Sequence, residues 1–384
     1  MQKSIIITSI KIAFGIILMG FSSCSNESNR KELGEGPLKC YVEGELMTDK
    51  FGDNIVIYDA YDAETNQEIA DNRSFRVKAI DGKFYMTINT EQVSQYEAAL
   101  YKQVKTGIWT PTKFLAENNA HIKVQVFDDK IIVRSDGEEG RKHEVMDSIV
   151  AARFQNTDEA SDSIYKEREA FRINYYAEHP MLWALYDVLH AAQWIHINIV
   201  SPGRVPDTEL KVYESYMKLY YEKLYTTYPG HPIHEQIVAL TICPGQSYFD
   251  YDIHTPDGEA IPISSLIKGH VALIDFWASW CGSCRLHSKA MIPIYERYKD
   301  EGFIVVAVAR EKDRSSMEKA LEKDGYPWPS YIEPMNDENH VWSRNGLSNG
   351  GGGLILVDCD GTILSMSYEA EVLEPLIKKA LDIN

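Results

Sequence analysis

The apolar run Val271-Ala272-Leu273-Ile274-Asp275-Phe276 carries a single carboxylate, and Cys281-Gly282-Ser283-Cys284 follows it after four residues. The run reads as a strand, and the segment that begins at Cys284 has the apolar spacing of a helix. Two cysteines two residues apart at a strand-to-helix junction constrain this chain more than any other feature. One turn of helix brings their sulfurs within bonding reach, and free N–H groups at the helix start favour a thiolate on the first. Cys281 is then the nucleophile, and Cys284, one turn further in and more buried, resolves the mixed disulfide. Gly282 and Ser283 allow the tight turn, and Arg285 adds a nearby positive charge that favours the thiolate. An acid inside an apolar strand is costly to bury and has a raised pKa. Placed beneath the dithiol, Asp275 is expected to accept a proton, through water, from Cys284 as that thiol attacks.

A chain of 384 residues holds two or three domains. From residue 39 to 136 the apolar period is two, as in Ile55 and Ile57, Phe84, Met86 and Ile88, and Ile122, Val124 and Val126, with turns at Asp81-Gly82 and Asp128-Asp129. This predicts an antiparallel β-rich domain with one solvated face. From 140 to 237 the period is helical: Met146, Ile149, Val150 and Phe154 share one face, and Tyr213, Tyr216, Tyr220 and Leu224 another. The tyrosine stripe is expected in the core, and His231 and His234, in a proline turn, pack a helix entry rather than bind metal. From 240 to 384 strands alternate with helices, which implies parallel strands in an α/β domain. Its last strands, at 354–357 and 362–366, flank Asp358-Cys359-Asp360-Gly361 and precede a final helix.

The formal net charge of −18 excludes nucleic acid and anionic membrane surfaces as partners, since both are negative. Lys3 and Lys11 lead into an apolar run that ends Phe21-Ser22-Ser23-Cys24, the pattern of a secretory signal peptide over 1–24. Lys11 interrupts the apolar residues, of which a membrane span needs roughly 20. Residues 25–38 are read as a flexible linker. Of the six cysteines, Cys40, Cys243 and Cys359 are scattered, so no disulfide-stapled scaffold is expected. No second C-x-x-C or H-x-x-x-H completes a structural zinc site. No metal and no cofactor beyond a redox-active Cys281–Cys284 disulfide is expected.

The segment from Phe276 to Arg285 resembles the active-site segment of the TlpA/ResA-like thiol:disulfide oxidoreductases of the thioredoxin family. Pro244-Gly245, Gly325-Tyr326-Pro327-Trp328-Pro329 and Asp358-Cys359-Asp360-Gly361 fit the same pattern, so the resemblance runs from about Cys243 to the C-terminus. It implies a thioredoxin-like domain in the cell envelope that reduces protein disulfides, with cytochrome c maturation among the roles. The partners it implies are disulfide-containing envelope proteins and an upstream membrane electron donor. Trp280, Gly282, Ser283, Gly351 and Gly352 would face the substrate. The Ser22-Ser23-Cys24 ending resembles the lipobox of bacterial lipoproteins, which implies a lipid on Cys24 and a membrane-anchored protein facing the periplasm. Asp81-Gly82-Lys83-Phe84 and Tyr228-Pro229-Gly230-His231-Pro232 resemble an uncharacterised N-terminal module that precedes such domains.

Two departures stand out. The position six residues before Asp358, where the family keeps a cis-proline facing the dithiol, holds Gly352 within Gly350-Gly351-Gly352-Gly353. The following helix has His287 and Lys289 where Glu-x-Pro is usual, and His287 is expected on an exposed face. Asp275 stands where thioredoxin keeps a buried Asp and many TlpA-like members have Asn. Two other functions compete with dithiol exchange. One is a non-catalytic binding protein that holds Cu(I) on the two thiolates. The other, a thiol peroxidase, needs Thr or Ser at the position of Ala278.

Overall fold

The computed structural model describes residues 30–383, apart from 51, 61–74, 102–111, 129, 156, 158–160, 256, 336–340 and 348–351. The signal segment, Cys24 and Gly351 lie outside these residues. Alternating apolar positions in the first part of the chain produce nine strands among the described residues. They are β1 (Lys31–Leu33), β2 (Leu38–Leu46), β3 (Asn54–Asp59), β4 (Arg76–Lys78), β5 (Lys83–Thr90), β6 (Ser94–Leu100), β7 (Thr112–Ala116), β8 (His121–Val126) and β9 (Ile131–Ser135). They make two sheets, β1-β5-β2-β8-β9 and β4-β3-β6-β7, whose facing sides share a core of Val42, Met86, Ile122 and Val124 with Ile55, Val77 and Phe114.

Three details differ from the period-two reading. β1 pairs with β5 and β2 with β8 in parallel, so the larger sheet is mixed rather than antiparallel. β1 also falls inside the segment read as a linker, because Leu33 is buried in the core and Arg30 donates to the Met86 carbonyl at 3.2 Å. The smaller sheet lacks a solvated face: Val56 and Ile57, successive residues of β3, are both fully buried. The helices that follow cover its outer side, where the Gln95 amide donates to the Tyr186 hydroxyl at 3.0 Å and Leu115 joins the helical core.

The helices are α1 (Glu138–Phe154), α2 (Asp162–Glu178), α3 (Trp183–Val200), α4 (Asp207–Leu219) and α5 (Ile233–Ala239), with a π-helical turn at Tyr220–Leu224 extending α4. α3 buries Ala184, Leu185, Val188, Leu189, Ala191 and Ala192 all round its axis, as a central helix does. The tyrosine stripe is core, with each hydroxyl satisfied: Tyr213 on Glu209 at 3.2 Å, Tyr216 on Glu169 at 2.7 Å, and Tyr220 with His234 Nδ1 at 3.0 Å. His234 Nε2 meets the Tyr228 carbonyl and His231 Nε2 the Val93 carbonyl, so both rings are structural. Ile149 is solvent-exposed, because α1 packs through Met146 and Val150 alone among its fully buried apolar side chains.

The C-terminal part holds β10 (Asp252–His254), β11 (Ala260–Pro262), α6 (Ser264–Ile267), β12 (Val271–Trp277), α7 (Gly282–Tyr298), β13 (Phe303–Glu311), α8 (Arg314–Asp324), β14 (Ser330–Pro334), β15 (Gly353–Val357), β16 (Ile363–Ser365) and α9 (Ala370–Ala380). Their sheet runs β11-β10-β14-β13-β12-β15-β16, with β12, β13 and β14 parallel and β15 antiparallel to β12. This is a thioredoxin-like domain. β12 is buried at every residue. Val271, Leu273 and Trp277 face the layer of α7 and α9, and Ala272, Ile274 and Phe276 the opposite one. By the strand's period of two, Asp275 belongs to the first set and points at α7. No helix among the described residues is long and apolar enough to cross a membrane.

α1 begins at Gly137, which has no side chain to cap it. The Glu117 carboxylate, reaching from the end of β7, accepts the Glu139 and Gly140 amides at 2.9 Å each. Replacing Glu117 by Ala leaves both buried donors unsatisfied, and a loss of about 1–3 kcal/mol is expected, read as a lower urea midpoint. An unchanged midpoint would show that the cap does not hold β7 to α1.

Candidate active site

Cys281 is the N-cap residue of α7, with extended backbone, and its sulfur accepts the Cys284 amide at 3.3 Å. The two cysteines are joined in a disulfide with Cα atoms 5.4 Å apart. Both are almost fully buried, at 8% and 6% exposure, so in this oxidised state burial does not yet separate attacker from resolver. Trp280 is 44% exposed beside them, and Gly282 and Ser283 lie at the surface. The Ser283 hydroxyl is 3.6 Å from the Cys281 sulfur. Among the described residues Cys40, Cys243 and Cys359 are free. Burial pushes the Cys40 thiol up to about 12, and Asp358 beside it raises that of Cys359. Neither is an activated nucleophile.

Asp275 is buried beneath the pair, and desolvation pushes its carboxyl up to about 7. It is linked to the backbone of Cys284 through Ser288, a fully buried residue to which it hydrogen-bonds and whose hydroxyl donates to the Cys284 carbonyl at 3.0 Å. Asp275 Oδ2 has no partner among the described residues. Ser288 has one proton to give, so its hydroxyl serves either the Asp275 carboxylate or the Cys284 carbonyl, and its bond to Asp275 offsets part of the rise caused by burial. Ser288 was not anticipated from the sequence. Its signal is position: it sits with Cys284, Met291 and Ile294 on the buried stripe of α7.

Arg285 does not serve the thiolate as its proximity suggests. Its guanidinium grips Asp324 at 2.5 and 2.8 Å and donates to the Ser279 carbonyl at 3.1 Å. Asp324 also holds Lys289 and the Tyr326 hydroxyl, and the Arg285 charge keeps its carboxyl far below the usual range. The positive charge is neutralised by a carboxylate with no exposed side-chain surface, and it ties α7 to α8. His287 is half-buried rather than exposed, stacked on Tyr368 at 5.1 Å, and burial lowers its pKa.

The loop before Cys281 is held by the end of β13. Buried Glu311 accepts both the amide and the hydroxyl of Ser279, and the Trp280 indole donates to the Arg310 carbonyl at 3.3 Å. Sequence reasoning missed Glu311, an acid closing an apolar strand and indistinguishable in pattern from a solvated one. Burial raises its pKa. Opposite the dithiol stands Gly352, whose amide donates to the Cys284 sulfur at 3.1 Å. A Cβ there would lie 1.9 Å from the Phe276 carbonyl oxygen and 2.8 Å from that sulfur. Position 352 is glycine, so no proline stands there, and no cis peptide bond occurs among the described residues.

Burial of Asp275 has a measurable consequence. With its folded pKa near 7 against an ordinary 3.8, the native protein holds this proton more tightly than the unfolded chain. The associated stability is complete below pH 3.8 and is lost as pH rises through about 7. Asp275→Asn removes the loss, so above pH 8 the oxidised variant should be more stable than the wild type, by on the order of 4 kcal/mol. Melting temperatures across pH 4–9 check this; a difference independent of pH would refute the buried, protonated assignment.

Residues 245–379 match the Redoxin family model. The chain is 28% identical over 143 residues to the DipZ protein of Mycobacterium bovis, covering 34% of this chain and 19% of that protein. It is 23% identical over 126 residues to the thiol-disulfide oxidoreductase ResA of Bacillus thuringiensis, covering 32% of this chain and 70% of ResA. Among solved structures it is similar to the thioredoxin domain of a thiol-disulfide oxidoreductase from Bacteroides vulgatus, at 23% identity and a TM-score of 0.34, over 37% of this chain and 99% of that one. The chain thus spans about a fifth of the DipZ protein and most of ResA.

Proposed function

We propose, from the match of residues 245–379 to the redoxin family, that this protein is a thiol:disulfide oxidoreductase that reduces disulfides of other proteins through Cys281 and Cys284. The observation that carries the reading is a dithiol at the start of α7 with a buried carboxyl of raised pKa one residue behind it. In the first step the Cys281 thiolate attacks a substrate disulfide, forming a Cys281–substrate disulfide and releasing one substrate thiolate. Cys284 then gives its proton, through water, to the Asp275 carboxylate and attacks the Cys281 sulfur. The Cys281–substrate bond breaks, and the second substrate thiolate leaves and takes up a proton. Two electrons pass from the dithiol to the substrate, and an external thiol donor restores the dithiol.

Asp275 suits the proton transfer because its pKa lies close to working pH, where a group both accepts and returns protons readily. We assign the site of action to the cell envelope, on the signal-like residues 1–24 and the lipobox-like Cys24. The substrates proposed are envelope proteins with oxidised cysteines, those of cytochrome c maturation among them, and the donor is a membrane thiol carrier.

Reduced protein should cleave insulin disulfides with dithiothreitol as donor, and Cys281→Ser should abolish the reaction. Cys284→Ser should trap substrate proteins as stable disulfides on Cys281, recovered after alkylation. Trapping none, with insulin untouched, would rule out exchange. Asp275→Asn should slow release of the second substrate thiol at pH 7 by at least roughly tenfold while leaving alkylation of Cys281 unaltered. Equal slowing of both would mean that the variant disturbs the dithiol generally.

A further inference from the structure

We infer that the Gly352 amide is a working part of the dithiol, an N–H donor to Cys284 that stabilises its thiolate and speeds resolution of the mixed disulfide. The inference rests on the dithiol-exchange reading and assigns a role to a residue outside the Cys281–Cys284 segment.

Each sulfur has its own backbone donor. Cys281 accepts the Cys284 amide at 3.3 Å, and Cys284 accepts the Gly352 amide at 3.1 Å. The first bond belongs to the helix N-terminus and is local. The second crosses from the start of β15, 68 residues along the chain, and exists only because the backbone comes so close. The approach requires glycine, since a Cβ would lie 1.9 Å from the Phe276 carbonyl oxygen and 2.8 Å from the Cys284 sulfur. A proline at this position has no N–H to give. The glycine therefore adds a donor to the dithiol rather than merely leaving a gap in the wall facing it.

The donor matters most when the sulfur carries charge. Hydrogen bonds to an ionised acceptor are roughly twice as strong as those to a neutral one. Cys284 has little other support: it is the third residue of α7, and its own amide is given to the Cys281 sulfur. Among the described residues, the titratable groups linked to it are Cys281, and Asp275 on β12, which reaches only its carbonyl, through Ser288. The Arg285 charge is held by Asp324, and the His287 ring is turned onto Tyr368. In the resolving step the Cys284 thiolate bonds to the Cys281 sulfur, the Cys281–substrate bond breaks, and the substrate leaves as a thiolate. The electron pair moves onto the leaving sulfur, and the amide returns to a neutral disulfide acceptor. Because the N–H favours the thiolate over the disulfide sulfur, it also favours the reduced state and makes the couple more oxidising.

Two measurements on the full chain test this. In Cys281→Ser protein, the Gly352 amide proton followed by NMR should titrate with the same midpoint as the alkylation rate of Cys284; a flat amide alongside a titrating thiol would overturn the inference. In Gly352→Pro protein with both cysteines present, the Cys281 mixed disulfide formed with 5,5′-dithiobis(2-nitrobenzoate) should release its second thiolate about tenfold more slowly at pH 7, and the Cys284 pKa should rise by about one unit. An unaltered release rate in folded variant would also overturn it. Gly352→Ala keeps the N–H, but its Cβ would push the backbone off the Cys284 sulfur, so its amide should lose the titration and its release should slow as in the proline variant; release at the wild-type rate with the amide displaced would overturn the inference. Should the proline variant fail to fold, the NMR titration of the unaltered loop decides alone. These readouts use a small disulfide, so they decide the role of Gly352 even if the protein reduces no protein substrate.

Discussion

Strand β12 is buried along its whole length, with hydrophobic layers on both faces, and that burial governs everything at its C-terminal end. A carboxyl at the surface would titrate as an ordinary acid. At position 275, with Val271, Leu273 and Trp277 on the same face and α7 above, water cannot stabilise its charge, and the proton is retained to about pH 7. The cost of holding Asp275 there is offset in chemistry by an acceptor tuned to the pH at which thiols exchange. The alignment of Asp275, Ser288 and Cys284 then follows from two periods, alternation along the strand and a four-residue step along the helix.

Around this axis the loops are fixed by groups that take no part in electron transfer. Glu311 holds Ser279, the Arg310 carbonyl holds Trp280, and Arg285 spans from the Ser279 carbonyl to Asp324. These contacts converge on the residues just before Cys281, so the start of α7 is set from three sides. A bidentate arginine on a carboxylate with no exposed side-chain surface is a structural clamp, and its charge is largely neutralised there. Activation of Cys281 is consequently left to the helix terminus and its amides.

How much of this was legible in the sequence depended on whether the deciding interaction was local. The cysteine pair, the strand before it and the helix after it are set by neighbours in the chain, as is the Asp358–Gly361 turn, in which the Gly361 amide donates to the Asp358 carbonyl at 2.9 Å. Asp275 was readable because apolar residues flank it on both sides. Glu311, Ser288 and the Arg285–Asp324 clamp were not, since an acid, a serine or an arginine has the same appearance in sequence whether it faces water or a distant partner. The parallel pairing of β1 with β5 was hidden for the same reason: a three-residue strand has too few positions to show a period. The smaller sheet lost its expected solvated face because helices contributed from elsewhere in the chain cover it.

The N-terminal helices also bear on the redox site through shared packing. Val200, at the end of α3, lies in the same hydrophobic cluster as Phe276, Trp342 and Leu347. A Cβ at Gly346 would come within 3.0 Å of the His196 ring, so the helix and the turn after Trp342 meet where only glycine fits. That turn leads towards Gly352, and Phe276, the residue whose carbonyl oxygen lies against Gly352, stacks edge-on against Trp342 at 5.5 Å. The helical part thus supports the far side of the wall that faces the dithiol.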